Sequence, residues 1–238
     1  MAHPAQLDFF AMAHLFFPNH FEGRVIDIGS LDINGGPHRN ISPREYVGVD
    51  LAEGPNVNLV SRGEDVDLPS GHFDVAMSSE CFEHNPNWRD TFRNMYRLTR
   101  PGGLVVFSCA TWGRPEHGTT RSDGGYSAPF VVEQGSEHYE NVSELSVLGI
   151  SARLGFSEAW TLVEPAHCDL FFAGLRKGSD TSSRKLMRDF RKKAVMTFRD
   201  GYFPTSEKEE TKTFKELLRR HKFLGPMRFL ARGMSRCV

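Results

Sequence analysis

The stretch VIDIGSLDINGG, Val25 to Gly36, decides how the rest of the chain is read. Val25, Ile26 and Ile28 make a short β-branched run that ends on a glycine, the pattern of a strand leaving a sheet into a tight turn. A dinucleotide loop would require GxGxxG, so that a helix N-terminus could approach a pyrophosphate. Leu31 stands where the second of those glycines belongs. Asp27 sets an acid at the strand's exit, which repels a diphosphate and suits a ligand with positive charge. Gly29, lacking a Cβ, lets such a ligand press against the backbone.

Outward from that stretch the pattern repeats. REYVGVD (Arg44–Asp50), FDVAMSS (Phe73–Ser79) and GLVVFSCA (Gly103–Ala110) are near-continuous apolar runs, as strands covered on both faces require. VNLV, before RGEDVDLP, reads as a short third strand. NWRDTFRNMYRL carries Trp88, Phe92, Met95, Tyr96 and Leu98 at helical spacing and stops at RPGG, where proline cannot continue a helix and glycine turns the chain. NVSELSVLGISARLGF predicts another helix, with Asn141 or Ser143 as N-cap and Gly155 near its end. SEAWTLVE and CDLFFAGLRK read as the last two strands. Strands alternating with helices at this spacing predict a doubly wound α/β fold with a mostly parallel sheet.

A hydrophobic content of 39% and a charged content of 25% are those of an ordinary soluble globular protein. No run approaches the roughly 18 apolar residues of a membrane span. LDFFAMAHLFF carries Asp8 and His14 and lacks the flanks of a signal peptide, so it reads as a packing helix and cytoplasm is the default location. Cys81, Cys109, Cys168 and Cys237 form no CxxC pair, which argues against a zinc knuckle or disulfide framework and for buried free thiols.

Charge divides the chain. Residues 1–178 hold 13 Lys/Arg against 23 Asp/Glu, a balance of −10, and residues 179–238 hold 16 against 7, a balance of +9. The division predicts an α/β domain over 1–178, with a linker near Gly178 to Ser183, and a basic α-helical extension over 179–238. The extension's apolar stripes, including Phe190, Phe198, Phe214, Leu217, Leu218, Phe223 and Leu224, favour docking on the acidic body or dimerisation. Peripheral contact with an anionic membrane comes second. Nucleic acid comes last, because stacking platforms and an RNA-binding motif are missing.

Taken together and in order, DIG at Asp27–Gly29, Asp50 at the end of the second strand, and RLTRPGGLVVFS resemble the class I S-adenosylmethionine-dependent methyltransferases of the type 11-like kind, over roughly Phe17 to Leu175. IGSLDINGG, YVGVD, GRPEHGT and a downstream YxN are similar to one subgroup of them. The resemblance implies a Rossmann-like seven-stranded sheet, and S-adenosylmethionine, with its ammonium and sulfonium, as cofactor. It implies that Asp27, Gly29 and Ser30 bind the cofactor and that Ser79 lines its methionine. Asp50, next to Leu51, would accept both ribose hydroxyls, Glu64 the adenine amine, and the Asp65 backbone N–H a ring nitrogen. Asp50 alone does not separate this cofactor from NAD, so an NAD-dependent oxidoreductase stays open on this ground.

Methyl transfer from a sulfonium needs positioning, and a base where the nucleophile is a hydroxyl. Glu80, Glu83 and His84, in SECFEHNPNW, follow the fourth strand. The pattern is similar to ubiquinone-biosynthesis O-methyltransferases, which implies a Mg²⁺ or Mn²⁺ site; a metal-free polar wall is the other reading. TWGRPEHGTTRSDGGYSAP is a long polar loop of the kind that carries function. Within it His117 is the best lone general base, an imidazole being the side chain that titrates nearest neutrality. Arg114, Glu116, Arg121 and Asp123 could bind polar substrate groups, and Tyr139 could reach the same site. NPNW only superficially matches the Asn-Pro-Pro-aromatic signature of base N-methyltransferases, because it starts six residues after the strand. These features favour O-methylation of a small polar acceptor, a sugar or glycoconjugate rather than a phenolic metabolite, since the loop is hydrophilic. An RNA-directed methyltransferase guided by the basic tail is the alternative.

Overall fold

The computed structural model describes residues 4–33, 35–122 and 137–199. Seven strands form one sheet: β1 (Arg24–Ile28), β2 (Glu45–Asp50), β3 (Leu59–Val60), β4 (Phe73–Ser79), β5 (Thr99–Ala110), β6 (Glu158–Glu164) and β7 (Asp169–Leu175), in the order β3-β2-β1-β4-β5-β7-β6. The five strands from β3 to β5 pair in parallel, whereas β7 runs antiparallel to both β5 and β6. The expected mostly parallel sheet therefore carries a β6–β7 hairpin at one side. The third strand is only two residues long.

Among the described residues five helices flank the sheet: α1 (Pro4–Phe16), α2 (Pro18–Phe21), α3 (Trp88–Leu98), α4 (Glu144–Leu154) and α5 (Thr181–Ala194). Alternate residues of each central strand feed two separate cores. Val25, Val75, Met77, Leu104, Val106, Phe171 and Ala173 face α1 and α5. Ile26, Ile28, Ala76, Val105, Phe107, Leu170 and Phe172 face α3 and α4. A strand buried on both faces has no polar positions to spare, which is why the runs read as continuously apolar.

RPGG is not a clean gap between helix and strand. α3 passes directly into β5, and the register jumps from Phe73↔Thr99 to Val75↔Leu104, so the segment bulges out with Gly102 left-handed at φ 72°. α4 begins after Ser143 and ends on left-handed Gly155, whose φ of 74° is the conformation that glycine adopts at little cost. Ser143 occupies the N-cap position without making a side-chain cap bond.

α5 begins inside the segment expected to be a linker, because Asp180 caps it by accepting from the Ser183 backbone N–H at 2.7 Å. Its apolar face does not stand apart from the body. Met187, Phe190 and Ala194 are buried against α1 and the hairpin, with Phe190 4.9 Å from Trp160 and 5.8 Å from Phe9, ring to ring. Each fully buried phenylalanine contributes about 1.5–3 kcal/mol by burial alone. A π-helical turn, Val195–Arg199, continues the packing through Phe198. The remaining tail, including Cys237, lies outside the described residues.

Two of the cysteine expectations change. Cys109 is a buried free thiol and Cys81 is free but only half-buried, whereas Cys168 is disulfide-bonded. Spacing along a chain does not say which sulfurs the fold brings within bonding distance. No helix among the described residues is long and apolar enough to cross a membrane.

Candidate active site

β1 and β2 run side by side, so Asp27, Gly29 and Asp50 come together at their carboxyl ends, where open α/β sheets place ligands. Gly29 is left-handed at φ 78°, and a Cβ there would fall 2.6 Å from the Cβ of Cys81. The glycine is therefore demanded by a protein contact as well as by the turn. Asp50 receives the Leu31 backbone N–H on Oδ2 at 2.9 Å and that of Leu51 on Oδ1 at 2.7 Å. Each oxygen keeps a second acceptor site, so the carboxylate still fits a vicinal diol. Ser30 braces the same corner: its Oγ donates to Asn56 O at 3.0 Å, and the Asn56 amide donates to Ser30 O at 2.9 Å.

Asp27 is almost fully buried and accepts from the Tyr46 hydroxyl at 2.8 Å. Burial pushes its carboxyl up to about 7, against the pull of that hydrogen bond. Asp50 is also raised by burial, opposed by its two backbone donors.

The missing second glycine has a structural explanation. Among the described residues no α-helix connects β1 to β2; they hold a 3-10 turn, Pro37–Asn40, so no helix N-terminus there needs to approach a ligand. Asp32 organises the loop instead, accepting from Gly35 N at 2.6 Å, His38 Nε2 at 3.1 Å, and Arg39 Nε and Nη2 at 2.9 and 2.8 Å.

Glu64, in the 3-10 turn Gly63–Asp65, is held by Asn87 Nδ2 at 3.0 Å, Thr91 Oγ1 at 2.9 Å and Asn85 Nδ2 at 3.2 Å. Burial alone would raise this carboxyl, but the donors outweigh it and hold it below its ordinary value. The Asp65 N–H donates to Arg62 O at 3.1 Å. Ser79 Oγ lies 3.3 Å from Ser108 Oγ, between the ends of β4 and β5.

A second set of polar groups converges beyond β4, β5 and β7. Glu80 sits left-handed at φ 53°, a conformation costing a non-glycine residue about 1–3 kcal/mol and concentrated at functional sites. Its carboxylate accepts from Gln6 of α1 and from Arg114 Nη2 at 3.5 Å. Arg114 also donates to Asp169 Oδ1 at 2.7 Å and to His167 O at 2.8 Å. Glu83 is fully buried and neither oxygen has a hydrogen-bond partner. His117 Nε2 lies 3.7 Å from Glu80 and 3.8 Å from Glu83, while its Nδ1 is 3.1 Å from Pro115 O. Rings of His84, His117 and Tyr139 stand within 5.1–5.6 Å of one another. A Cβ on Gly118 would meet His84 at 2.9 Å, so the loop carrying His117 closes tightly over that ring.

The neighbouring carboxyls are driven apart. Burial and then the charge of Glu80 push Glu83 well above its ordinary range. Glu80 goes down, because His117 and Arg114 outweigh its own burial. Burial, followed by repulsion from His117, takes His84 down to about 4. Burial and then Glu80 raise Asp169 to about 8.

Of the residues expected from sequence, Glu80, Glu83, His84, Arg114, His117 and Tyr139 do meet. The Tyr139 hydroxyl is engaged in holding the loop, 3.1 Å from both Pro115 O and Asn141 Oδ1. Glu116 and Arg121 instead pair with each other on the exposed loop at 2.7 Å. Asp123 lies outside the described residues. The metal-capable grouping also differs from the expected trio: ligand atoms of Glu83, His84 and His117 lie within 4.8 Å of one another, while Glu80 is turned to Gln6 and Arg114.

Sequence reading missed Gln6 and Asp169. Both carried a faint signal as polar residues inside apolar runs, PAQLDFFAMAHLF and DLFFAGL, and both are fully buried. It also missed that Asn85, Asn87 and Thr91 serve Glu64.

Comparison with known proteins gives the family. The Methyltransferase domain family matches residues 6–168. An uncharacterized methyltransferase of Mycobacterium sp. (strain KMS) is 36% identical over 118 residues, 41% of this chain and 46% of its own. One from Mycobacteroides abscessus is 31% identical over 120 residues, 47% and 45% of the two chains. The chain thus spans about half the length of these curated relatives. Among solved structures, Haemonchus contortus phosphoethanolamine N-methyltransferase 2, in complex with phosphomonomethylethanolamine and S-adenosylhomocysteine, superposes with a TM-score of 0.52 at 16% identity, over 71% of this chain and 52% of that one. At that identity the likeness speaks for the fold alone. The family match tells against the oxidoreductase reading that Asp50 had left open: the chain belongs to the Methyltransferase domain family.

Proposed function

We propose that this chain transfers the methyl group of S-adenosylmethionine to a hydroxyl oxygen of a small polar acceptor, a sugar or glycoconjugate in preference to a phenol. The cofactor, when bound at Asp27, Gly29 and Asp50, supplies an electrophilic methyl on a sulfonium. What this chain's residues supply is the removal of the hydroxyl proton.

One observation carries the reading. His117 Nε2 is buried and has no hydrogen-bond partner, while Nδ1 faces the Pro115 carbonyl. A carbonyl can only accept, so Nδ1 bears the hydrogen and Nε2 keeps its lone pair. Once Nε2 takes up a proton, the Glu80 and Glu83 carboxyls 3.7 and 3.8 Å away are placed to receive it. When an acceptor hydroxyl is methylated, its proton would pass to Nε2. Glu80, kept ionised by Arg114, then stabilises the imidazolium. An amine acceptor needs no such base before attack, which favours oxygen.

His117→Ala should lower kcat by about 10²-fold or more while affinity for S-adenosylhomocysteine stays within about twofold. Unchanged turnover removes His117 from the chemistry. A second reading has the specific support of the Glu83, His84 and His117 grouping: a divalent ion held there would lower the hydroxyl's pKa directly. Under that reading EDTA abolishes activity and Mn²⁺ restores it; activity indifferent to EDTA leaves the base alone.

The Arg114 guanidinium on the acceptor side is committed to the carboxyls of Glu80 and Asp169. A cation so engaged is not offered to a phosphate backbone, which supports the small-acceptor reading over an RNA-directed one. A filter-binding titration showing RNA affinity at low salt would reverse that preference.

A further inference from the structure

α5 is joined to the body by its apolar face. Met187, Phe190 and Ala194, with Phe198 in the turn that follows, are fully buried. Residues 181–199 hold seven Lys/Arg against one acid, Asp189. Lys185 at 2.7 Å and Lys192 at 3.5 Å share Asp189, and Arg188 reaches Glu158 of β6 at 3.1 Å. Two carboxylates thus meet three of the seven cations, in surface pairs that water and salt screen. Attachment through apolar side chains leaves the positive charge of this helix on the outside.

The outward residues form one face. Lys185, Arg188, Lys192 and Met196 follow one another at intervals of three and four, opposite Met187, Phe190 and Ala194, and all four are exposed. Met196 is 59% exposed, and Leu186, on the flank of the same face, is 39% exposed. Apolar side chains are therefore set among cations on a surface that touches no other part of the core.

The helix also climbs toward the ligand edge of the sheet. It starts beside the entry to β5, where a Cβ on Gly102 would lie 3.4 Å from Ser179 Cα. It ends beside the exit, where Phe198 packs on Phe171 with ring centroids 5.1 Å apart, and Phe171 pairs with Ser108 near the end of β5. Asp169 and Glu80 lie at that same edge.

The geometry points to the outward face of α5 as a docking surface for an anionic lipid bilayer, with the ligand edge of the sheet brought beside the membrane. Lys and Arg near such a surface are drawn to its headgroups, and Leu186 and Met196 can enter the boundary between headgroups and acyl chains. A single-stranded nucleic acid would ask for rings on which bases stack, and both aromatic residues of the segment, Phe190 and Phe198, are buried in the core. The inference concerns where the chain sits and is independent of which atom it methylates.

The full chain is floated through a density gradient with vesicles of equimolar phosphatidylglycerol and phosphatidylcholine, and separately with vesicles of phosphatidylcholine alone. Wild type should rise with the anionic vesicles at low salt, be released as salt is raised, and stay behind with the neutral ones. Lys185→Gln, Arg191→Gln and Lys192→Gln combined should lower the partition coefficient by about 10²-fold, about fivefold for each cation, with S-adenosylhomocysteine affinity within about twofold of wild type. Lys192→Gln alone, with its expected fivefold loss, serves if the triple variant fails to fold. Met196→Ser should cost about threefold and leave the salt dependence in place. Equal flotation on neutral vesicles, no flotation on either kind, or variants that float like wild type would each overturn the inference. Wild type that ignores anionic vesicles but holds oligouridylate on a filter at the same salt would overturn it too, and would give the face to nucleic acid.

Discussion

The two ends of the site are built by opposite means. At β1 and β2 the work is done by backbone: Gly29's turn, the Leu31 and Leu51 N–H groups on Asp50, and a loop stapled by Asp32. At β4, β5 and β7 it is done by side chains brought from Gln6, Glu80, Glu83, Arg114, His117 and Asp169, four of which are carboxylates or their amide. Backbone geometry defines one shape for one cofactor. A convergence of side chains can be rewritten by substitution without disturbing the sheet, which is where variation in the methyl acceptor has room to act.

If that division is real, variants at the two ends should separate cleanly in kinetics. The largest effect belongs to Asp50→Ala. On the proposed reading it removes the acceptor for two ribose hydroxyls, and it leaves the Leu31 and Leu51 N–H groups without their partner. Hydrogen bonds to a charged group are worth about 1.5–3 kcal/mol each, so the dissociation constant for S-adenosylhomocysteine should rise by about 10²-fold or more. Calorimetry checks this. A variant that still binds normally would move the ribose elsewhere and dissolve the distinction between the ends.

At the other end, Arg114→Lys should show the reverse signature. Arg114 serves Asp169, the His167 carbonyl and Glu80 at once, and an ammonium is a point charge that cannot span all three. Glu80 loses its anchor, so kcat should fall by about tenfold with cofactor affinity unchanged. Steady-state kinetics alongside calorimetry separate the two outcomes, and loss of cofactor affinity in this variant would contradict the division.

The same contrast sets what could be read in advance. Asp27, Gly29 and Asp50 were legible because each ends a strand, and strand ends follow from period and composition. Glu80, Glu83 and His84 were legible for the same reason, at the end of β4. Their partners were not: Gln6 is 74 residues from Glu80 along the chain and Asp169 is 55 from Arg114, so only the folded sheet brings them together. The role of Asp32 was illegible for a different reason: its four hydrogen bonds run to Gly35, His38 and Arg39 of its own loop, whose path no periodicity records. Docking of α5 depends on Trp160, Phe9 and Phe190 meeting across three elements, which no local pattern records.

A subtler effect belongs to Asp27. Burial raises its carboxyl from 3.8 to about 7, so the folded chain keeps this proton longer than the unfolded chain. Its contribution to stability is therefore lost as pH rises from about 4 toward 7. A cationic cofactor prefers the ionised form. Below about pH 7, binding of S-adenosylmethionine should release a proton, and affinity should climb by up to about tenfold per pH unit before levelling off above that pH. Calorimetry in buffers of different ionisation enthalpy counts the proton. Asp27→Asn should flatten the profile; a profile that stays steep would assign the titration to another group.

The smallest effect should come from the loop residues that sequence placed in the site and structure did not. Arg121 reaches Glu116 at 2.7 Å and Glu137 at 3.5 Å, with its own side chain 56% exposed. Such pairs gain little in water, where salt screens them and two long side chains must be held still. Neither touches Glu80, Glu83 or His117, even though His117 is the next residue after Glu116. Glu116→Gln and Arg121→Ala should therefore leave kcat and cofactor affinity within about twofold of wild type, and should do so together as well as singly. A tenfold fall in kcat/KM for either would place the loop's outer face against the acceptor, and would extend the side-chain half of the site beyond the groups that converge at the strand ends.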